Sequence, residues 1–221
     1  MKYIEYACYD YSINEIELSK IITDAIKLGV RNFAVLPYSV NTIKNINLSN
    51  LDNPQITIST PVDFPYGLSD TKTRNFAVAQ TIKSGCNIID LFLPTKIITN
   101  RKYDKLREDI KSNLDICIEK DVKLRYILEY RVYSHQILSK VCQILTSLGI
   151  DTILPSSGTM IDDIYDNLIA CQFLLEKNEI KVITNGNIYT EKQAKLVKQA
   201  SIHGIRVHHL NSLKLILDKK I

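Results

Sequence analysis

A short apolar segment that ends in small polar residues is the part of this sequence best suited to hold a ligand. Residues 150–155 read I-D-T-I-L-P and are followed by Ser156, Ser157 and Gly158. A buried strand of a parallel sheet presents its ligand site at such an end. We therefore expect Ser156 and Ser157 to donate hydrogen bonds there. No serine nucleophile is predicted, because the sequence supplies no convincing histidine partner.

Two histidines and an aspartate are candidates for acid–base chemistry. His208 and His209 are adjacent on a predicted strand, so their side chains should point to opposite faces and cannot both line one site. The inward histidine can exchange a proton or, when protonated, attract an anion. Asp63 follows another predicted strand and is either an acid or a turn-forming residue. A metal site is not predicted, because Asp63 and Asp90 would have to converge with the histidine from other strands.

Glycines indicate where the strands begin and end. Four of them follow amphipathic helical stretches and precede apolar ones, as a glycine does after a helix in the left-handed conformation. These four are Gly29, Gly85, Gly149 and Gly204. Three others follow the carboxyl ends of predicted strands. These are Gly67, Gly158 and Gly186. The second group should lie at the rim where an α/β barrel builds its site.

The apolar pattern predicts eight strands separated by amphipathic helices. The strands are 3–8, 32–36, 55–62, 87–93, 123–130, 150–154, 181–184 and 206–210. The main helices are 14–28, 71–84, 103–119 and 134–148, with later ones starting at Asp162 or Asp163, at Thr190 and at Asn211. Continuous apolar strands between longer helices indicate an α/β protein with a parallel sheet, and eight such units close into a (β/α)8 TIM barrel. An open doubly wound sheet is the alternative.

Composition narrows the function classes. The 221 residues fit one barrel domain, 1–221, with 45% hydrophobic and 24% charged residues. The net charge of +4 comes from scattered lysines, so no nucleic-acid partner is predicted. Five widely spaced cysteines indicate buried thiols in a cytoplasmic protein. We predict no membrane span, and no cofactor is expected.

Six motifs in order resemble those of the deoxyribose-phosphate aldolase family. Residues 33–37, F-A-V-L-P, look like its V-C-V-x-P strand, and residues 63–67, D-F-P-Y-G, look like its G-F-P-x-G loop. The segments 85–90, 127–129, 150–158 and 185–190 are similar to further family motifs. The resemblance covers the chain except its extreme C-terminus. It implies a barrel and class I aldolase (lyase) activity on a sugar phosphate, and it is compatible with a homodimer.

At the two positions where the family has catalytic lysines, this chain has residues of other types. Leu154 falls on the family's Schiff-base lysine, and Ile183 on a second lysine that lowers the pKa of the first. Neither side chain can form a Schiff base. Asp90 falls on the family's proton-relay aspartate, and Glu5 on its first-strand aspartate. The resemblance therefore predicts an aldolase frame in which the covalent step is lost or changed.

Lys181 is the candidate for a relocated amine. It lies two residues before Ile183, on the same face of the strand and about 6–7 Å deeper in the barrel. Its side chain either extends toward Asp90 or points to solvent at the start of the strand.

The resemblance also predicts an altered phosphate site. The family holds its phosphate on backbone N–H groups of the turns after strands seven and eight. The first turn keeps Gly186 between Asn185 and Asn187, but the second, at residues 208–212, is bulkier than the family's G-T-S run. Asn211 or Ser212 is still expected to cap the last helix.

Three functions remain open at this point. The chain is a catalytically silent barrel that binds a metabolite or a protein partner, an aldolase that uses Lys181, or an acid–base enzyme that uses Asp90, Asp63 and a histidine.

Overall fold

Eight parallel strands close into a barrel in sequential order in the computed structural model, which describes residues 3–46, 55–160 and 163–218. The strands are β1 Tyr3–Cys8, β2 Asn32–Val35, β3 Thr57–Val62, β4 Ile88–Phe92, β5 Lys123–Ile127, β6 Thr152–Leu154, β7 Lys181–Asn185 and β8 Gly204–Val207. β8 pairs with β1 and closes the sheet. The predicted (β/α)8 TIM barrel is confirmed, and the open sheet is wrong.

The helices alternate with the strands, and several of them begin at a side-chain cap. They are α1 Glu15–Lys27, α2 Val40–Lys44, α3 Thr71–Lys83, α4 Thr95–Thr99, α5 Tyr103–Glu119, α6 His135–Ser147, α7 Ile164–Lys177, α8 Glu191–Gln199 and α9 Leu210–Ile216. Asn14 starts α1 with a capping box, in which its side chain accepts from the N–H groups of Ile16 and Glu17. Asp163 caps α7 and Thr190 caps α8, while Asp162 lies outside the described residues. None of the described helices has the length and apolarity needed to cross a membrane.

Two strands, β5 and β8, end three residues earlier than the sequence predicts. β5 ends at Ile127 because Glu129 adopts a left-handed conformation, with φ of +48°. β8 begins at Gly204, where a Cβ would lie 2.3 Å from the carbonyl oxygen of Tyr3. Gly204 therefore permits close packing of β8 on β1 and is not a left-handed helix cap. β8 ends at Val207, before both histidines.

Strand alternation divides the buried residues into an outer and an inner set. Outward residues such as Ile89 and Tyr126 pack in the core that includes the helices. Inward residues include an apolar cluster of Phe92, Ile127, Leu154 and Ile183. Inward positions of β1, β4, β5 and β8 also include four buried charged residues, Glu5, Asp90, Arg125 and Arg206, which define the centre of the candidate site.

Candidate functional site

Four charged side chains form a closed network inside the barrel: Glu5, Asp90, Arg125 and Arg206, each at most 1% exposed. Arg125 donates to Asp90 through Nε at 2.7 Å and Nη2 at 3.0 Å, and its Nη2 also donates to Glu5 Oε1 at 3.1 Å. Arg206 donates from Nε to Glu5 Oε2 at 2.6 Å and from Nη2 to Asp90 Oδ2. Each carboxylate is therefore bonded to both guanidinium groups.

The sheet register brings these charges together. Glu5 lies opposite Arg206 in the β1–β8 pair, and Asp90 lies opposite Arg125 in the β4–β5 pair. Tyr3 also donates its hydroxyl to Glu5 Oε1, at 2.9 Å. The two arginines were missed by the sequence analysis, although each stands between apolar neighbours in a predicted buried strand.

The arginines keep the network ionised. Burial acts to raise the pKa of Glu5, but the charges of Arg125 and Arg206 outweigh it and hold this pKa at about 2. Burial likewise acts to lower the pKa of both guanidinium groups, and the two carboxylates outweigh it and raise each pKa above the ordinary arginine value. The network contains two charges of each sign, and the oxygens of Asp90 are committed to ion pairs. This arrangement suits a structural role better than a proton relay.

The positions that the resemblance assigns to the two lysines lie together in the apolar cluster. Leu154 and Ile183 are fully buried beside Phe92 and Ile127. Phe64 packs against the same cluster from the loop after β3. Hydrocarbon therefore fills the space in which the family would place its amines.

Lys181 lies at the opposite, N-terminal end of the barrel. Its Nζ donates to Asp151 Oδ2 at 2.8 Å, and Lys123 pairs with the other oxygen of that carboxylate at 2.8 Å. The side chains of Lys181 and Asp151 are 52% and 46% exposed. Lys181 thus takes the solvent-facing orientation, and the structure does not bring it to Asp90, whose hydrogen bonds come from Arg125 and Arg206.

Asp63 shapes the loop after β3. Its φ is +57°, and its Oδ1 accepts from the N–H and the hydroxyl of Ser69, at 3.2 and 2.7 Å. Its Oδ2 pairs with the buried Arg74. Arg74 also donates to Asp109 at 3.1 Å and to the carbonyl of Phe92 at 2.6 Å. This geometry matches the turn-forming alternative for Asp63.

The two predicted rim serines are buried and bonded within the protein. Ser157 donates its N–H, at 3.1 Å, and its hydroxyl to Glu129 Oε2. The carbonyl of Ser156 accepts from the side-chain amide of Asn185 at 3.3 Å. Glu129, a residue that the sequence analysis did not single out, therefore fixes the loop after β6.

His208 and His209 both line one cavity, so the prediction that they could not is wrong. β8 ends at Val207, and strand alternation no longer applies to the two residues that follow it. The cavity measures about 440 Å³ and lies between the ends of β1, β6, β7 and β8. Gly158, Gly186 and Asn187 also line it.

Side chains of the protein itself accept hydrogen bonds from backbone N–H groups in the turns after β7 and β8. The N–H of His208 donates to Asn187 Oδ1 at 3.0 Å, and the N–H of Ile188 donates to Ser212 Oγ at 2.9 Å. The His208 ring bonds Asn185 Oδ1 at 2.7 Å and covers Gly158, where a Cβ would lie 2.7 Å from the ring. These contacts use two of the backbone donors in the region where the resemblance places a phosphate.

The expected cap at the last helix is also wrong. α9 begins at Leu210 with His209 in the cap position, and no side chain caps it. Asn211 lies inside the first turn, while the hydroxyl of Ser212 bonds Ile188 instead.

His208 is neutral at pH 7. Burial, together with the nearby charges of Arg206 and His209, lowers its pKa from 6.5 to about 4, although Glu5 acts in the opposite direction. The expectation that a protonated histidine attracts an anion here is therefore wrong for His208.

We expect His208→Gln to flatten the pH dependence of stability. The unfolded chain protonates this histidine near pH 6.5 and the folded chain near pH 4, so the wild type loses stability as the pH falls between these values. The loss is on the order of a few kcal/mol. Urea unfolding at several pH values between 4 and 7 measures the slope. His135→Gln, at an exposed histidine that is not among the groups acting on His208, serves as the control, and equal slopes in both variants would contradict the assignment.

Among the residues that the structure describes, no group of three or more His, Cys, Asp or Glu side chains is arranged to hold a metal ion.

Comparison with known proteins finds deoxyribose-phosphate aldolases among the relatives in sequence and in structure. No family model matches the chain. It is 26% identical over 157 residues to the deoxyribose-phosphate aldolase of Finegoldia magna, covering 71% of both chains, and 21% identical to that of Clostridium kluyveri, covering 99% of this chain and 97% of the relative. The solved structure of QR15, an aldolase, matches with a TM-score of 0.81 at 20% identity, covering 98% and 93% of the two chains. A tetrameric deoxyribose phosphate aldolase from Aeropyrum pernix matches with a TM-score of 0.80 at 15% sequence identity. The match covers 97% of this chain and 88% of that one.

Proposed function

We propose that this chain is a member of the deoxyribose-phosphate aldolase family that has lost Schiff-base chemistry and uses the barrel to bind a small molecule. The apolar cluster carries the proposal, because it puts Leu154 and Ile183 where the family pattern has lysines. A Schiff base needs an uncharged primary amine within reach of a carbonyl. Alkyl side chains do not supply one.

The distribution of lysines supports the same conclusion. No lysine whose side chain the structure describes is buried. A lysine in water keeps a high pKa and is protonated at pH 7, whereas burial is what produces a reactive amine. Lys181 in particular is exposed and paired with Asp151. The relocated-lysine alternative is therefore disfavoured.

In the acid–base alternative, each candidate proton-transfer group is already hydrogen-bonded within the protein. Asp90 is bonded to two guanidinium groups, and Asp63 is bonded to Arg74 and Ser69. His208 is neutral and is bonded to Asn185. Because these groups form hydrogen bonds and ion pairs with other residues of the barrel, a role in binding a small molecule is favoured over acid–base catalysis.

We expect this chain to release no acetaldehyde from deoxyribose 5-phosphate above a protein-free blank. A coupled assay that consumes acetaldehyde measures the reaction, and the Finegoldia magna relative serves as the positive control. Lys181→Met and its matched control Lys123→Met, which removes a similar contact to Asp151, complete the set. Turnover by the wild type that disappears in Lys181→Met and persists in Lys123→Met would establish a relocated amine and overturn the proposal.

A further inference from the structure

We propose that an apolar pocket at the carboxyl ends of β3 to β6 binds an uncharged, mainly hydrophobic small molecule, an inference that rests on the proposed function. The pocket has a volume of about 340 Å³ and is lined by the loops that follow these four strands. It is separate from the cavity beside His208, since the two share none of their lining residues. Small-molecule sites of roughly 300–1,000 Å³ with mostly apolar walls are common in proteins.

The inner wall of the pocket is continuous with the apolar cluster. Phe92 and Ile127 line the pocket, and they pack with Leu154 and Ile183 in that cluster. The wall that would carry an amine in the family pattern is thus hydrocarbon here. A ligand that reaches this wall gains by burying apolar surface, and not by bonding to a cation.

The mouth of the pocket exposes an unusual amount of apolar surface. Four of the large hydrophobic side chains exposed in the described chain line this pocket: Tyr66 at 64%, Leu68 at 60%, Val132 at 53% and Met160 at 45%. Single exposed hydrophobic residues are ordinary, but a group of them around a concave opening marks a binding site.

The charge of the pocket favours an uncharged occupant. Of the described residues that line it, Glu129 is the charged one, and its carboxylate accepts from the N–H of Ser157. A carboxylate in an apolar wall repels phosphate and carboxylate groups. On the opposite side of the rim, two backbone donors of the turns after β7 and β8 are bonded to Asn187 and Ser212. A sugar phosphate is therefore a poor fit on both sides of the rim.

The enclosed shape favours a small molecule over a second copy of the chain. A protein partner needs an extended surface, on the order of 800 Å² on each side, whereas this feature is a concavity whose deepest wall lies inside the barrel. A molecule with a single aromatic or branched aliphatic body suits the volume and the Phe92 wall.

The test uses N-phenyl-1-naphthylamine, an uncharged probe that fluoresces in apolar surroundings. We expect saturable binding to the wild type, and about tenfold weaker binding to Leu68→Asp and Val132→Asp, because each places a charge at the mouth. Ile169→Asp is the matched control, since Ile169 is 67% exposed on α7, outside the pocket. It should bind like the wild type, and excess deoxyribose 5-phosphate should not displace the probe. Circular dichroism confirms that the variants are folded.

Several outcomes would overturn the inference. They are absence of saturable binding, equal affinity in all variants, displacement by the sugar phosphate, or a smaller sedimenting species for Val132→Asp than for the wild type. The last result would identify the patch as an interface between copies. If the probe does not bind and deoxyribose 5-phosphate is not cleaved, this inference alone is rejected. If the probe binds normally and deoxyribose 5-phosphate is cleaved, the proposed function alone is rejected.

Discussion

Replacing Arg206 by methionine is expected to lower the free energy of unfolding by about 3–5 kcal/mol. The change removes the donors to Glu5 and Asp90 and leaves two buried carboxylates with Arg125 as their remaining guanidinium partner. An uncompensated charge inside a barrel is far more costly than the loss of a surface contact. Proteins of this size are stable by roughly 5–15 kcal/mol, so the loss is a large fraction of the total. Urea unfolding followed by circular dichroism measures it.

A matched substitution separates buried charge from the loss of an arginine. The exposed Arg107 donates to Ser147 Oγ at 3.1 Å, and Arg107→Met should change stability by about 0.5 kcal/mol or less. Adding Glu5→Gln to Arg206→Met removes one charge of each sign, so the double variant should lose less stability than the sum of the two single variants. If Arg206→Met were as mild as Arg107→Met, the network would not hold the barrel as described.

Introducing a lysine at position 154 is expected to create the covalent chemistry that we propose the wild type has lost. In Leu154→Lys the amine would lie among Phe92, Ile127 and Ile183, where burial lowers its pKa and leaves part of it uncharged at neutral pH. An uncharged amine attacks a small carbonyl compound, and borohydride fixes the Schiff base. With acetaldehyde and borohydride we expect the variant to gain the mass of an ethyl group at position 154, detected by intact mass and peptide mapping. The wild type should gain none there.

Two further variants serve as a control and as an alternative for this prediction. Leu154→Met keeps the size of the side chain without an amine and should remain unlabelled at this position. Ile183→Lys places an amine at the second family position if Leu154→Lys does not fold. Absence of labelling in a folded lysine variant, or equal labelling of Leu154→Met, would contradict the view that these positions are where the covalent step was lost.

The barrel could be predicted from the sequence because its signals are local. β1 and α5 have the boundaries that the apolar pattern indicates. Capping residues such as Asn14 and Thr190 satisfy N–H groups within their own helices and so are recognisable from a few neighbouring residues. The family resemblance rests on several such segments in order, and the curated relatives confirm it.

The charged centre could not be predicted, because its contacts join distant strands. Glu5 meets Arg206 only when β8 closes on β1, and the two residues lie 201 positions apart. The sequence did contain one signal of buried arginines: each arginine stands inside an apolar segment, L-R-Y or I-R-V. The histidine error has a local cause, since β8 ends at Val207 and strand alternation does not extend to the two residues that follow it.

Borohydride trapping of the wild-type chain with deoxyribose 5-phosphate, analysed by intact mass, tests the central claim most directly. We expect no substrate adduct, while the Finegoldia magna aldolase treated in parallel becomes labelled. A stable adduct on the wild-type chain, mapped to Lys181 or to another lysine and absent without substrate, would contradict the claim that this barrel has given up Schiff-base chemistry.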